Sequence, residues 1–597
     1  MSDNILVAVA WPYSNSFIHV GNITGSYLPA DIFARYHRLA GNHVLMVSGS
    51  DSHGTPVTVR ADAEGTSPIE VYQKFHEGFL ELFQQLGLTY DLFTSTHTEN
   101  HFKVSQAIFM ALKNNGYLYQ ERQKQWYAPS QQRFLPDRYI EGTCNICGYE
   151  NARGDQCDQC SSLLDATEIL NPRSKIDGSI PELRETEHFY LDLAGLQPAI
   201  VDFLQERKSY LRPNVQRQSL GQIEADDLHG RAITRDLDWG IPVPVEGWEG
   251  KCLYVWFEAV IGYLSASIEW AQITEQPNAW HEWWYTPEAR AYYFIGKDNI
   301  PFHAVIWPGQ LVGAGDWFGK LFEEREHTQL TLPHDVPANE FMNMEGLKIS
   351  GSRNWAVWGL DFLTRYDPDT LRYYLTANMP ESKDTDWDWY DFQRRNNDEL
   401  VANWGNLANR VLSFTYNNWD GQIPTADQQS EVRPPDEEVL TTVTAGFDSV
   451  GELIGSVRLR AALNECLRLS SQVNRYLDQA APWFEIKNDK LAAGRTVYTA
   501  LQAIDSLKML FAPFLPFSSE RLHTYLGYSQ PLFGELFTED MEDNLGQHNV
   551  LRYRSGEACG RWEPSQLPPG QTLQQPSPLF KKLEESIVEE ERSRLGN

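Results

Sequence analysis

The run "ILVAVA" (5–10) restricts the fold more than any other stretch of this chain. It is apolar at every position, small or β-branched in all but one, the pattern of a strand covered on both faces. After Pro12 and a polar loop, apolar residues recur at helical spacing over 22–40 (Ile23, Tyr27, Leu28, Ile32, Phe33, Tyr36, Leu39), and Gly41 is a natural stop. "HVLMVSGSD" (43–51) then reads as a second strand. A right-handed crossover makes the two strands parallel neighbours. The loop 11–21 and the turn "GSDSHGTP" (49–56) are thereby expected at the carboxyl ends of the strands, where open parallel sheets bind ligands.

"AYYFIG" (291–296), followed by "KDNIPFHAVIWPGQL" opening a helix, reads as the other half of the same sheet. About 120 residues separate the halves, so an insertion splits the sheet. "EFMNMEGLKISGSRNW" (340–355) reads as a strand, a Gly-centred turn and a Gly/Ser loop. From about 391 the periodicity is helical, as in a bundle. A Pro/Gln-rich connector (563–578) leads to "LFKKLEESIVEEERSRL" (579–595), expected as a terminal helix. No internal repeat is visible.

A chain of 597 residues exceeds one core and implies two to four domains. Its net charge of −31 argues against non-specific nucleic-acid binding but leaves local patches open. Two basic islands, 205–217 and Arg394–Arg395, are expected to be solvated faces. "ILVAVA" is too short for a signal peptide or a membrane span, and a cytoplasmic location is expected.

Cys144, Cys147, Cys157 and Cys160 form C-x2-C-x9-C-x2-C, while Cys252, Cys466 and Cys559 stand alone. Four thiolates on two tight turns close a tetrahedral shell, so the pattern predicts one structural Zn²⁺ with no open position for water.

"HVGN" (19–22) falls where a helix begins, directly after a strand. Unpaired N–H groups at a helix mouth, with His19 and Asn22 as extra donors, suit phosphates. Gly21 lets a flat ring such as adenine rest on backbone. No Walker loop occurs in the chain. Lys348, in "LKISGS", is a cation on a small-residue loop that can reach β/γ-phosphates.

Taken together, "PYSNSFIHVGN", "SDSHGTP", "YVWFEAVIGY", "YYFIGKDNIPFH", "KISGS", "NLANR" and "DQAAPWF" resemble, in order and spacing, the methionyl-tRNA synthetases of class I. "HVGN" matches the HIGH signature and "KISGS" matches KMSKS. The resemblance runs from the first strand to the terminal helix. It implies a Rossmann-type parallel sheet split by a zinc-bearing insertion, followed by a helical anticodon-binding bundle.

The implied division is 1–115 and 231–325 for the catalytic halves, 116–230 for the insertion with its zinc knuckle, and 326–390 for the KMSKS-type loop and stem-contact region. The bundle is expected over 391–545, and a linker and C-terminal helix over 546–597.

The implied reaction activates L-methionine with Mg²⁺-ATP to methionyl-adenylate, then transfers the acyl group to the 3′ end of tRNA(Met). His19, Asn22 and Lys348 carry catalysis in this reading, and Gly21, Lys297 and Ser350 join them around ATP. Asp51 anchors the methionine ammonium. Tyr13, Trp256, Tyr263, His303 and Trp11 line the side-chain pocket, where rings suit a polarisable thioether. Asn406, Arg410 and Trp483 face the CAU anticodon, an amide, a guanidinium and an indole being apt for splayed bases.

Gly351 departs from the family's second KMSKS lysine, for which Arg353 or Lys297 are the candidate substitutes. Trp11 and Val260 depart where a smaller apolar residue and a proline are expected. Two alternatives stand beside this reading: a class I synthetase for another apolar amino acid, and a non-catalytic tRNA-binding relative. A monomer without membrane attachment is expected.

Overall fold

A computed structural model describes residues 2–596 except 137–138, 155–156, 158, 161–163, 165, 226, 324, 326–328 and 426–432. Seven strands form the central sheet among the described residues: β1 (Asn4–Val9), β2 (His43–Ser50), β3 (Leu92–Ser95), β4 (Arg290–Gly296), β5 (Ala338–Asn339), β6 (Glu535–Asp543) and β7 (Gly546–Arg554). Their order is β5-β4-β1-β2-β3-β7-β6. The first five are parallel: Ala8 pairs with Val47 on one side and Tyr293 on the other, and Val47 pairs with Leu92. Alternation along β1 sends Ile5, Val7 and Val9 into one core and Leu6, Ala8 and Ala10 into another, which is why the run tolerates no polar residue.

The expected βαβ unit forms. Its helix opens as a turn (Val20–Asn22), passes through a π-turn (Ile23–Tyr27) and continues as α1 (Leu28–Leu39). Gly41, at φ +83°, ends the segment. The insertion is built on a long antiparallel pair, Leu118–Ala128 with Glu182–Leu191. A small sheet of Ile140–Thr143, Ala152–Arg153 and Leu170–Ser174 carries the cysteines.

The C-terminal part packs helices α2 (Asn406–Asn418), α3 (Pro434–Gly455), α4 (Leu459–Ala480), α5 (Lys490–Phe511) and α6 (Pro516–Tyr525). Here two expectations are corrected. The bundle does not run to 545, because its last helix ends at Tyr525 and 535–554 is a hairpin that joins the catalytic sheet antiparallel to β3. Within 546–597, expected as a linker and C-terminal helix, the first nine residues are instead β7, and the helix covers Ile587–Arg592. That segment has too sparse an apolar stripe to pack as a long helix. Ion pairs fix it instead, Glu591 to Arg365 at 2.7 Å and Arg592 to Glu345 at 2.9 Å.

Most of the island 205–217 is exposed, as expected, but its Arg212 is half-buried, bonding Asn339 Oδ1 at 2.6 Å and two backbone carbonyls nearby. Arg394 and Arg395 pair with Asp391 at 2.6 and 2.8 Å. No helix among the described residues is long and apolar enough to cross a membrane.

One buried ion pair ties the catalytic half to the bundle. Arg372 donates to Asp31 on α1 at 2.7 Å, to Leu86 O, and to Pro513 O and Phe514 O between α5 and α6. Burial alone would raise the Asp31 carboxyl, yet Arg35 and Arg372 hold it at about 2. A depressed carboxylate contributes stability that is present above its unfolded pKa, near 4, and lost as pH falls towards 2. Arg372→Ala leaves Asp31 with Arg35 alone and removes the donor to three buried carbonyls, and a loss of about 3–5 kcal/mol is expected in urea unfolding at neutral pH. A loss below about 1 kcal/mol would show that the pair does not hold the two parts together.

Candidate active site

His19 caps the helix mouth by a reciprocal pair of bonds. The Asn22 backbone N–H donates to His19 Nδ1 at 3.3 Å, and the His19 N–H donates to Asn22 Oδ1 at 3.2 Å. Because Nδ1 accepts, the proton of the neutral ring sits on Nε2. Burial lowers the ring's pKa to about 4, so it is neutral at pH 7. The Asn22 oxygen is likewise committed, which leaves its NH₂ group to donate. Both side chains thus present hydrogen-bond donors at a positive helix end without a net charge.

The KMSKS-like loop reaches this corner by direct pairing. Val20 N–H donates to Val357 O at 3.0 Å and Gly359 N–H to Ile18 O at 2.9 Å, with His19 bridged to Trp358. A Cβ on Gly21 would lie 3.0 Å from Ile349, the residue after Lys348. His19, Gly21, Asn22, Lys348, Trp11 and Tyr13 all line one cavity of about 410 Å³. Asp298 lines it too; burial raises its carboxyl, and Lys348 and Lys297 oppose that.

The expected side-chain pocket adjoins this cleft. Trp256 Nε1 donates to the Tyr13 hydroxyl. Asp51 is buried and bridged through backbone to Tyr13, and its Oδ1 has no hydrogen-bond partner among the described residues. Burial, reinforced by the charge of Glu258, pushes the Asp51 carboxyl well above the usual carboxylate range. Tyr263 OH donates to His303 Nε2 at 2.7 Å, and His303 Nδ1 donates to Asn299 O at 2.9 Å. This fixes the ring's tautomer, and burial lowers its pKa to about 4. Trp11 lies 6.2 Å from Tyr263, ring to ring.

Two of the residues expected around ATP have protein partners of their own. Lys297 is held by Glu340 at 2.7 Å and Asp384 at 2.8 Å, and Ser350 bonds back to Trp355 through its backbone. Gly351 and Arg353 form an exposed 3₁₀ turn beside the loop.

Sequence reasoning missed Gly49, Gly262 and Glu258. A Cβ on Gly49 would collide with the Trp11 ring, and one on Gly262 would lie 2.5 Å from it. Glu258 accepts from His53 Nδ1 at 2.8 Å and His101 Nε2 at 2.7 Å, a buried network below the pocket. The two glycines were visible inside quoted motifs, but only the bulk of Trp11 explains them.

In the insertion the four cysteine sulfurs lie within 4.8 Å of one another, with Cys144–Cys160 at 4.0 Å and Cys147–Cys157 at 3.6 Å. This cluster is able to hold a metal ion. In the bundle, Arg410 on α2 stacks over the Trp483 ring at 4.4 Å, and Asn406 is exposed one turn away.

A parallel sheet split by an insertion, with these two motifs joined at its strand ends, defines a class I aminoacyl-tRNA synthetase. The family model described as tRNA synthetases class I (M) matches residues 5–412, and that of the anticodon binding domain of methionyl tRNA ligase matches 423–550. The chain belongs to the methionyl-tRNA synthetase family. Methionine–tRNA ligases of Thermomicrobium roseum and Chloroflexus aggregans are each 52% identical to it, over 100% of this chain and 99% of theirs. A methionyl-tRNA synthetase of Mycobacterium tuberculosis, solved with methionyl-adenylate, shares the fold at TM-score 0.73 and 22% identity, over 97% of this chain and 100% of its own. The chain is therefore an enzyme of the methionine–tRNA ligase type, and methionine, ATP and tRNA are its substrates. That sets aside both alternatives, another amino acid and a non-catalytic relative.

The raised Asp51 carboxyl has a measurable consequence. Pairing with an ammonium requires the carboxylate, and Asp51 takes up its proton at higher pH than an ordinary aspartate. Methionine Kd, followed by tryptophan fluorescence, is expected to rise as pH falls, starting above the range of an ordinary aspartate, near 4. A Kd that stays flat until pH reaches that ordinary range would show that Asp51 does not anchor the ammonium.

Proposed function

We propose that this cleft performs both synthetase steps with the residues placed around it. The methionine carboxylate attacks the α-phosphate of ATP, a P–O bond forms, and the bond to pyrophosphate breaks. ATP enters as its Mg²⁺ complex, the ion travelling with the nucleotide. His19 Nε2–H and the Asn22 amide donate to the phosphates as negative charge builds, and Lys348 stabilises the departing pyrophosphate. Gly21 lets the adenine approach backbone. No side chain becomes a covalent nucleophile, so catalysis is positioning and charge stabilisation.

Lys297, already neutralised by two carboxylates, acts in this reading as a brace for the rim and not as the missing second lysine. Asp51 takes the methionine ammonium, while Tyr13, Trp256, Tyr263, His303 and Trp11 enclose the thioether. The observation that supports this assignment is the hydrogen-bonded seam between 18–20 and 357–359, which sets Lys348 opposite the His19 corner. The 2′-hydroxyl of the terminal adenosine then takes the acyl group, and AMP leaves.

Arg410 and Trp483 offer a cation and an indole to bases of the CAU anticodon, with Asn406 beside them. The enzyme serves initiation and elongation in the cytoplasm as a monomer. Zn²⁺ fits the cysteine cluster. Tetrahedral Zn–S bonds of about 2.3 Å place sulfurs about 3.8 Å apart, between the two separations of 3.6 and 4.0 Å. Backbone N–H groups of Ile146 and Cys147 donate to Cys144 Sγ, as a thiolate requires.

Lys348→Ala is expected to slow methionine-dependent pyrophosphate–ATP exchange about 10²–10³-fold with methionine Kd unchanged. Trp483→Ala, by contrast, should lower tRNA charging about tenfold or more while exchange stays intact. Loss of exchange as well as charging in Trp483→Ala, or a raised methionine Kd in Lys348→Ala, would place that residue in the fold and not in the named step. Cys147→Ser should bind less than one Zn²⁺ per chain by elemental analysis. Full occupancy in that variant would remove the four-thiolate assignment.

A further inference from the structure

A second cavity, of about 680 Å³, opens where the C-terminal hairpin meets α1 and the start of β2. Five arginines line it, Arg35, Arg38, Arg552, Arg554 and Arg561, against two carboxylates, Asp91 and Glu539. The whole chain has the opposite balance, 50 basic to 81 acidic residues. The arginines alternate with rings. Arg35 stacks over Phe533 at 4.6 Å, Arg38 over Tyr553 at 4.7 Å, and Arg554 over Phe537 at 5.1 Å; Trp270 adds a further wall.

Part of this charge is already neutralised. Arg38 pairs with Asp91 at 2.7 Å, Arg552 with Glu539 at 2.5 Å, and Arg554 with Glu535 at 3.1 Å. Arg35 pairs with Asp31 at 2.9 Å. Within these paired guanidiniums two buried donor atoms, Arg35 Nη1 and Arg552 Nε, have no hydrogen-bond partner among the described residues. A buried unpaired donor is costly, and a protein keeps one mainly where something else accepts from it. Arg561 donates to its neighbour's carbonyl, Gly560 O.

The cavity is separate from the catalytic cleft. Val44 lines it at the amino end of β2, whereas Asp51 follows the carboxyl end. At about 3.3 Å per residue, the length of that strand sets the two sites roughly 20 Å apart.

We propose that this cavity is a second ligand site, for a nucleoside phosphate whose phosphates meet the arginines and whose base stacks among the aromatic walls. Its size lies within the range of sites for ligands of that bulk, about 300–1,000 Å³. Guanidinium groups suit phosphate oxygens and stack on rings equally well.

The test uses the full chain with its catalytic cleft filled by a non-hydrolysable methionyl-adenylate analogue, whose own binding is checked first. Calorimetric titration with ADP is expected to show one remaining site per chain. Adenosine and inorganic pyrophosphate should each bind at least tenfold more weakly than ADP. Arg554→Gln/Arg561→Gln should weaken ADP at least tenfold while methionine-dependent pyrophosphate exchange stays at the wild-type rate. Arg561→Gln alone, expected to weaken ADP threefold or more, serves if the double variant does not fold. No ADP binding to the filled enzyme, or binding that both variants leave unchanged, would overturn the site. Pyrophosphate binding as tightly as ADP would overturn the nucleoside part.

Discussion

The catalytic cleft depends on two backbone hydrogen bonds, Val20 N–H to Val357 O and Gly359 N–H to Ile18 O. The parallel sheet alone brings the loop after β1 beside Asp51, because β1 and β2 are neighbours in register. It does nothing for Lys348, which lies on a separate small sheet with Met342–Met344 and Thr385–Trp387. The seam transfers the precision of the sheet to that outlying loop. Closing so long a loop costs entropy that grows only slowly with its length, so a few bonds and the packing around them suffice. Ile349 against Gly21 completes the contact, which is why a glycine is needed there even though its φ is ordinary.

A protein carrying −31 must nonetheless draw in a polyphosphate. On the proposed reading it does so with donors more than with cations. His19 is neutral, Asn22 is an amide, and the helix mouth contributes partial charge, so the cleft does not need a dense basic patch that would be screened by salt. Elsewhere the basic residues are spent on structure: Arg372 and Arg212 bond carbonyls in the interior, and Arg394 and Arg395 answer nearby acids. Charge counted along the sequence therefore says little about where a ligand goes.

Much of this was legible in the sequence because it depends on local chemistry. A wholly apolar run specifies a two-sided strand, and paired cysteines specify a four-sulfur cluster. What was not legible depends on partners distant in the chain. The hairpin 535–554 was folded into a helical expectation, since its alternation "ELFTEDMED" is weak until β3 supplies the edge it pairs with. The terminal segment read as a helix from composition, but its acids and arginines find better partners across the catalytic half. The ion pairs of Lys297 were not legible either, because Glu340 and Asp384 are far away in sequence.

Trp11 shows the same rule at the scale of one pocket. By size alone it departs from what a methionine site should tolerate, and no neighbour in the chain accounts for it. The structure supplies that reason in Gly49 and Gly262, whose missing side chains leave room for the indole. A ring so wedged cannot swing without displacing β2 or the segment after Glu258. Tyr263 and His303 are equally fixed, by one hydrogen bond to each other and one to Asn299. The pocket is thus a preformed shape with neutral walls. Such a shape discriminates among apolar side chains by about 1–3 kcal/mol for each misplaced methylene. On the proposed reading, selection of a straight thioether over branched competitors then rests on the place that Gly49 and Gly262 leave for Trp11.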